Sequence, residues 1–243
     1  MNRYSLFILF FSLYIIPLPA QRENRLNITS SFGRMGVWAG AEEGLPQLRS
    51  AGDDRSITEG FRGEENIWLG GWQAGLEARY GQADKTIYSL GISAHESNTR
   101  YHSLGSYRPE GRNAIRDIPS AANYRSAALR LGAAVGVFTS VPWLDVQFGG
   151  QLEGAWARLS YPAAAIVDLT QPGRARVTEV LTSEQRGFTL GVGPALRLAV
   201  RPVRFMGFAI DGGAGFRFRR NGAGGPNALY YSLRGGVFVE FGV

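Results

Sequence analysis

Apolar and polar residues alternate with a period of two along most of this chain. The clearest run is 143–161. Leu144, Val146, Phe148, Leu152 and Trp156 fall on one parity; Asp145, Gln147, Gln151 and Glu153 fall on the other. Successive side chains of a strand point to opposite faces, so this run predicts a strand with two unlike faces. A helix would scatter those charges around its circumference.

The same rhythm returns along the chain. In 66–80, Trp68, Trp72, Leu76 and Tyr80 oppose Gln73, Glu77 and Arg79. In 85–97, Tyr88, Leu90 and Ile92 oppose Ser89, Ser93, His95 and Ser97. In 123–138, Leu129, Leu131, Val135 and Val137 oppose Ser126 and Arg130. In 187–200, Leu190, Val192, Leu196 and Leu198 oppose Thr189 and Arg197; in 204–218, Phe208, Ile210, Phe216 and Phe218 oppose Asp211 and Arg217. In 229–243, Leu229, Tyr231, Leu233, Val237, Val239 and Phe241 oppose Arg234 and Glu240. The first strand, 27–41, is less regular. Met35, Val37 and Ala39 are read as its apolar face and Arg34 as its polar face.

That makes eight strands. Short turns (Gly81–Asp84, Thr139–Pro142, Arg201–Val203) alternate with long links at about 43–65, 99–122, 162–185 and 219–228. Two unlike rims predict an all-β, antiparallel, up-and-down barrel.

Residues 1–20 add an address. Arg3 precedes an apolar run from Leu6 to Ile16, broken by Pro17 and Pro19 and followed by Ala20. This predicts a cleaved secretory signal peptide, with 21–243 as one barrel domain. The run is shorter than the ~20 residues a spanning helix needs. A closed barrel is the other way to cross a membrane.

Composition then narrows the chemistry. The chain has 243 residues and 33 Gly, about twice the usual share. It has no Cys and only two His, which excludes disulfides, Cys-based zinc sites, a Cys nucleophile and a His-rich metal centre. No cofactor is expected. The net charge is +6, but Arg is interspersed with acids rather than run together, so nucleic acid is not an expected partner.

Parity alone does not orient the faces. A soluble lipocalin-like barrel would turn its apolar face inward; a membrane barrel turns it to lipid. The polar face here is rich in Gly and carries both signs of charge. An eight-stranded bore is only just wide enough to be filled by side chains. Small residues would admit a paired network of Arg34, Glu77, Arg79, Arg130, Asp145, Glu153, Arg197, Asp211, Arg217, Arg234 and Glu240. Aromatics lie towards strand ends: Trp68, Trp156, Phe188, Phe218 and Tyr231 near the long-loop rim, Tyr80 and Phe241 near the short-turn rim. These features favour a transmembrane barrel with a plugged polar lumen, short periplasmic turns and long outer loops. A small channel and a soluble periplasmic binder are the alternatives.

On these strands and on the closing Val237–Val243 segment, the chain resembles the eight-stranded outer-membrane barrels of the OmpA transmembrane-domain and OmpX type. The resemblance implies an outer-membrane location, a monomer, contact with outer-membrane lipid and lipopolysaccharide, and insertion through the terminal strand by the barrel-insertion machinery. Family members usually end on an aromatic residue; this chain ends on Val243, with Phe241 two places earlier.

Two further features bear on function. His95-Glu96-Ser97-Asn98 resembles the His-x-Ser-Asn stretch of PagL-type lipid A deacylases, which makes His95 and Ser97 a candidate base and nucleophile. Glu96 faces away from both, and Glu110 lies in a loop, so a non-enzymatic barrel is the leading reading. In the 99–122 link, Arg100, Arg108, Arg112 and Arg116 interleave with Tyr101, His102 and Tyr107. Arg pairs phosphate bidentately, so lipopolysaccharide binding through this loop is an expectation.

Overall fold

The computed structural model describes residues 24–40, 47–52, 55–63, 66–82, 85–103, 105–111, 113–138, 143–170, 174–203, 205–219 and 228–242. The expected signal peptide lies outside the described residues, as do Arg112 and Val243; so do the side chains of Ala39, Arg100, Tyr101 and His102. The described chain forms twelve strands: β1 (Arg25–Gly40), β2 (Gln47–Ser50), β3 (Ser56–Ile57), β4 (Phe61–Gly63), β5 (Asn66–Gly81), β6 (Thr86–Ser103), β7 (Gly105–Tyr107), β8 (Pro119–Phe138), β9 (Leu144–Asp168), β10 (Arg176–Val203), β11 (Met206–Arg219) and β12 (Ala228–Gly242).

Eight of these close into a ring in the order β1-β5-β6-β8-β9-β10-β11-β12, each antiparallel to its neighbours, with β12 returning to β1. The register fixes the shape. Following paired residues around the ring leads from Arg25 to Gly81, Ile87, Ala134, Gly149, Ala195, Gly213, Ser232 and back to β1 at Met35. The path returns ten residues higher than it began. With about 3.3 Å per residue and 4.8 Å between strands, a shear of ten over eight strands tilts them by about 40°. Each residue then climbs about 2.5 Å along the barrel axis.

Alternation sets the two faces. Leu76, Leu90, Ile92, Leu131, Phe148, Leu152, Val192, Leu196, Phe208, Ile210 and Leu233 stand exposed on the outside. Along β1 the exposed series from Ile28 to Trp38 covers about 25 Å of axial height, the depth of a membrane barrel's apolar band. So much exposed apolar surface has no place in water; the barrel spans a membrane.

Four short strands and the ends of β9 and β10 build a second layer at the long-loop end. β9 and β10 remain paired from the barrel out to Asp168 and Arg176, past the last partner of β8 on β9, Ser160. The 162–185 link expected as a loop is therefore mostly a strand pair, paired as far as Asp168 and Arg176. Pro162 is accommodated because the register slips beside it, between Leu181 and Thr182. β2 adds to this ribbon, parallel to β9, and β3 adds to β2. β4 pairs with β7, which is bridged to Ile115. Leu48, Tyr107, Ile118, Ala165 and Val167 are buried between these pieces, with Ile57, Phe61, Val177 and Val180 packed against them. The outer links are thus a folded cap with its own apolar core. Tyr107, expected among exposed loop arginines, belongs to that core, while Arg108 and Arg116 are exposed.

Candidate functional site

The inward parity of seven barrel strands carries a charge network in two tiers. The lower tier begins at the short-turn end. Arg25 donates to Glu240 at 3.0 Å, and Arg201 bridges Glu240 (3.1 Å) and Asp145 (3.3 Å). Gln147 links Asp145 to Arg79. Arg79 also pairs with Glu77 and, at 3.4 Å, with Asp211. Arg197 donates to Asp211 (3.3 Å), Asn27 (3.2 Å) and Thr29 (2.8 Å). Arg234 stands 3.8 Å from Glu77. The upper tier centres on Glu153, which accepts from Arg130 at 2.7 Å and from Arg217 at 2.5 Å. Arg217 reaches on to the Tyr124 hydroxyl and to Ser126.

Several of these bonds cross the bore. Arg79 on β5 reaches Gln147 on β9 and Asp211 on β11; Arg197 on β10 reaches Asn27 and Thr29 on β1; Arg217 on β11 reaches Tyr124 on β8; Gln151 on β9 reaches Tyr230 on β12. Every one joins strands three places apart in the ring. Closing buried ions against one another offsets part of the large cost of taking them from water. Above the upper tier the lining turns apolar. Met35, Val37, Leu69, Tyr124, Leu159, Tyr161 and Tyr230 form one buried cluster inside the outer half of the bore.

Glycine makes room for this filling. A Cβ at Gly191 would lie 3.2 Å from Cγ of Arg217 and 3.5 Å from Cβ of Glu153, so a side chain there would press on the upper tier.

Ten of the eleven residues expected in the lumen are buried there, and Arg34 is not. Arg34 is exposed on the outside, its guanidinium carbon 3.7 Å above the Trp72 ring. Met35 and Val37 face inward, while Phe32 and Trp38 face outward. The facing assigned to the first strand is therefore reversed. The physical reason is the apolar cluster: where the lumen is closed by apolar groups, both faces of β1 are apolar and alternation loses its sign. The reversal also hid Arg25, Asn27 and Thr29, which share the inward parity of β1. Arg201, expected in a turn, lies in β10 and shares the parity of Arg197. Tyr124, Ser126 and Tyr230 were on the predicted inner face without a charge to single them out.

His95 and Ser97 both face the bore and are buried. The His95 ring lies against that of Tyr124, with centroids 5.5 Å apart, and no hydrogen bond joins it to Ser97. Glu96 is outside, held by Arg125. The three do not form a base–nucleophile–acid arrangement, and the wall separates His95 and Ser97 from lipid. No group of His, Asp and Glu among the described residues has the spacing of a metal site.

The chain matches no protein-family model and no curated protein sequence. Among solved structures it is similar to Neisserial surface protein A (12% identity, 89% of this chain and 97% of that one, TM-score 0.49). It is also similar to OprG from Pseudomonas aeruginosa (8%, 91% and 98%, TM-score 0.45) and to Ail, the attachment invasion locus protein of Yersinia pestis (11%, 90% and 99%, TM-score 0.40). The strand order, closure and facing are by themselves those of an eight-stranded transmembrane barrel.

The outer wall has a boundary of its own. Beside the aromatics, exposed side chains become charged: Glu96, the register partner of Trp72, with Arg125 at 2.6 Å, and Arg158 with Glu184 at 2.5 Å. Trp38 packs on Trp68 (centroids 3.9 Å apart) and Trp68 on Tyr231 (5.4 Å). Gly36 lies beneath them; a Cβ there would meet Trp68 at 2.3 Å and Tyr231 at 2.5 Å. This aromatic belt and the charged pairs beside it mark the outer rim of the apolar band.

Proposed function

We propose that this protein is exported, inserted in the outer membrane, and used as a non-conducting anchor that displays its cap for binding at the cell surface. The observation that carries this reading is the pairing of a bore crossed by direct hydrogen bonds with outer links that fold around their own core. A channel would keep a wet, open lumen. A cap held by Leu48, Tyr107 and Ile118 instead presents a fixed surface, with Arg108 and Arg116 exposed on it. Those arginines suit the phosphates of lipopolysaccharide or an acidic partner surface. The terminal strand β12 is the segment offered to the insertion machinery.

Two measurements test the reading together. The chain has no Cys, so Glu110→Cys gives a single thiol on the cap side. A membrane-impermeant maleimide should label it on intact cells and should fail to label Lys85→Cys at the short-turn end. In planar bilayers the purified protein should give no large, stable conductance; finding one would overturn the anchor role.

A further inference from the structure

Arg34 is out of place on the apolar wall. It follows Phe32 on the exposed parity of β1 and lies four residues, about 10 Å, below the belt residue Trp38. Arg25, Arg79, Arg125, Arg130, Arg158, Arg197, Arg201, Arg217 and Arg234 all have carboxylates. Arg34 has none among the described residues; its one contact of note is the face of Trp72. Its register partner on β5 is that same Trp72, which is itself stacked on Phe32, with centroids 5.0 Å apart and planes 13° from parallel. The guanidinium thus sits over the face of a braced indole, and it has no hydrogen bond or ion pair among the described residues.

A guanidinium in the apolar band is costly, and least so close to the interface or when it meets an anion. A stacked guanidinium keeps its fork of donors in one plane, which matches the oxygens of a phosphate. Above it stands the stack of Tyr231, Trp68 and Trp38, all partly exposed on the wall, an aromatic surface suited to the C–H face of a sugar. The lipid tails meet Phe32 and Leu76 below.

We propose that the outer wall of β12, β1 and β5 is a binding site for a phosphorylated glycolipid of the outer leaflet. Arg34 holds the phosphate, Trp72 and Phe32 fix the guanidinium, and the Tyr231–Trp68–Trp38 stack carries the sugar. The site is on the wall of the barrel and separate from the cap. It rests on the membrane-spanning reading but not on any binding by the cap.

The test uses the full mature chain in mild detergent, with bound lipid read by native mass spectrometry during titration. The probes are bisphosphorylated lipid A, the same lipid dephosphorylated, and phosphatidylglycerol. Lipid A should bind best. Arg34→Gln should weaken it about fivefold to tenfold, Arg34→Lys less, and Arg176→Gln on the cap ribbon not at all. Dephosphorylation should weaken binding to the parent as much as Arg34→Gln does. Equal binding of lipid A by parent and Arg34→Gln would overturn the site, as would indifference to the phosphates. Preference for phosphatidylglycerol would overturn the glycolipid as occupant. A heat-modifiable gel shift reports whether each variant is folded. Because Arg108 and Arg116 on the cap also offer cations to these phosphates, the dephosphorylated probe is read as well on the Arg108→Gln, Arg116→Gln double variant, which decides the matter even if Arg34→Gln does not fold. Surface labelling and conductance, which test the anchor and cap, are unaffected by either outcome.

Discussion

Arg217 donates to Glu153 at 2.5 Å deep inside the barrel, and both side chains are no more than 1% exposed. Glu153 is also the acceptor for Arg130, so one carboxylate answers two buried guanidiniums. Glu153→Gln removes that charge and leaves both cations facing each other across the bore. Breaking a buried pair from one side costs roughly 3–5 kcal/mol. The urea midpoint of the refolded protein in detergent should fall accordingly. The variant should still not conduct, because Tyr124, Leu159 and Tyr230 continue to close the bore above. A midpoint unchanged from the parent would mean the upper tier does not hold the barrel.

The facing of β10 gives a second prediction. Leu196 is half exposed on the wall, between Ala195 and Arg197 on the inner parity. Leu196→Arg places an unpaired charge in the apolar band, at a cost of roughly 2–4 kcal/mol near the midplane. Leu196→Phe should be close to neutral. Yields of heat-modifiable, folded protein after insertion into vesicles should separate the two sharply; equal yields would place Leu196 away from lipid.

Gly36 permits the aromatic stack. Any side chain there drives Trp68 and Tyr231 apart, since even a Cβ would overlap both rings. Gly36→Leu should lose about 0.5–1.5 kcal/mol of aromatic pairing and the near-ultraviolet circular dichroism that a close Trp pair produces. The barrel itself should remain folded. Retained dichroism would show that the rings do not depend on the gap.

The cap should be separable from the barrel. Ile118 is fully buried in the cap core, and its backbone N–H donates to the Gly105 carbonyl. Ile118→Asp buries a charge without a partner and should unseat β2, β4 and β7. Trypsin should then cut faster at Arg49, Arg55 and Arg62, while the barrel strands stay protected and the gel shift is unchanged. Cleavage at the parent rate would mean that the cap is held by its backbone pairings alone.

The sequence by itself determined the period. Alternation is local, so residues 143–161 or 229–243 need no knowledge of the rest of the chain to be read as two-faced strands. The rhythm of short and long connections, together with the end-placed aromatics, was enough for a barrel with its polar face inward. Where the alternation had one polar and one apolar face, the facing was legible, as at Glu153 and Arg197.

What the tertiary structure decided lies where that contrast fails or where partners are distant in sequence. Met35 and Val37 point inward only because other strands close the bore with apolar groups; no window of β1 contains that information. Arg34, two residues from Phe32, consequently changes from a lumen charge to a lipid-facing one. The partners in the bore depend on closure with a shear of ten: Arg197 meets Thr29 across 168 residues because the ring sets the two at one height. The cap is of the same kind. Leu48, Tyr107, Ile118 and Val167 come from three links that each look polar and Gly- or Pro-marked alone. Only when the barrel brings those links to one rim do their few apolar residues have one another to bury against.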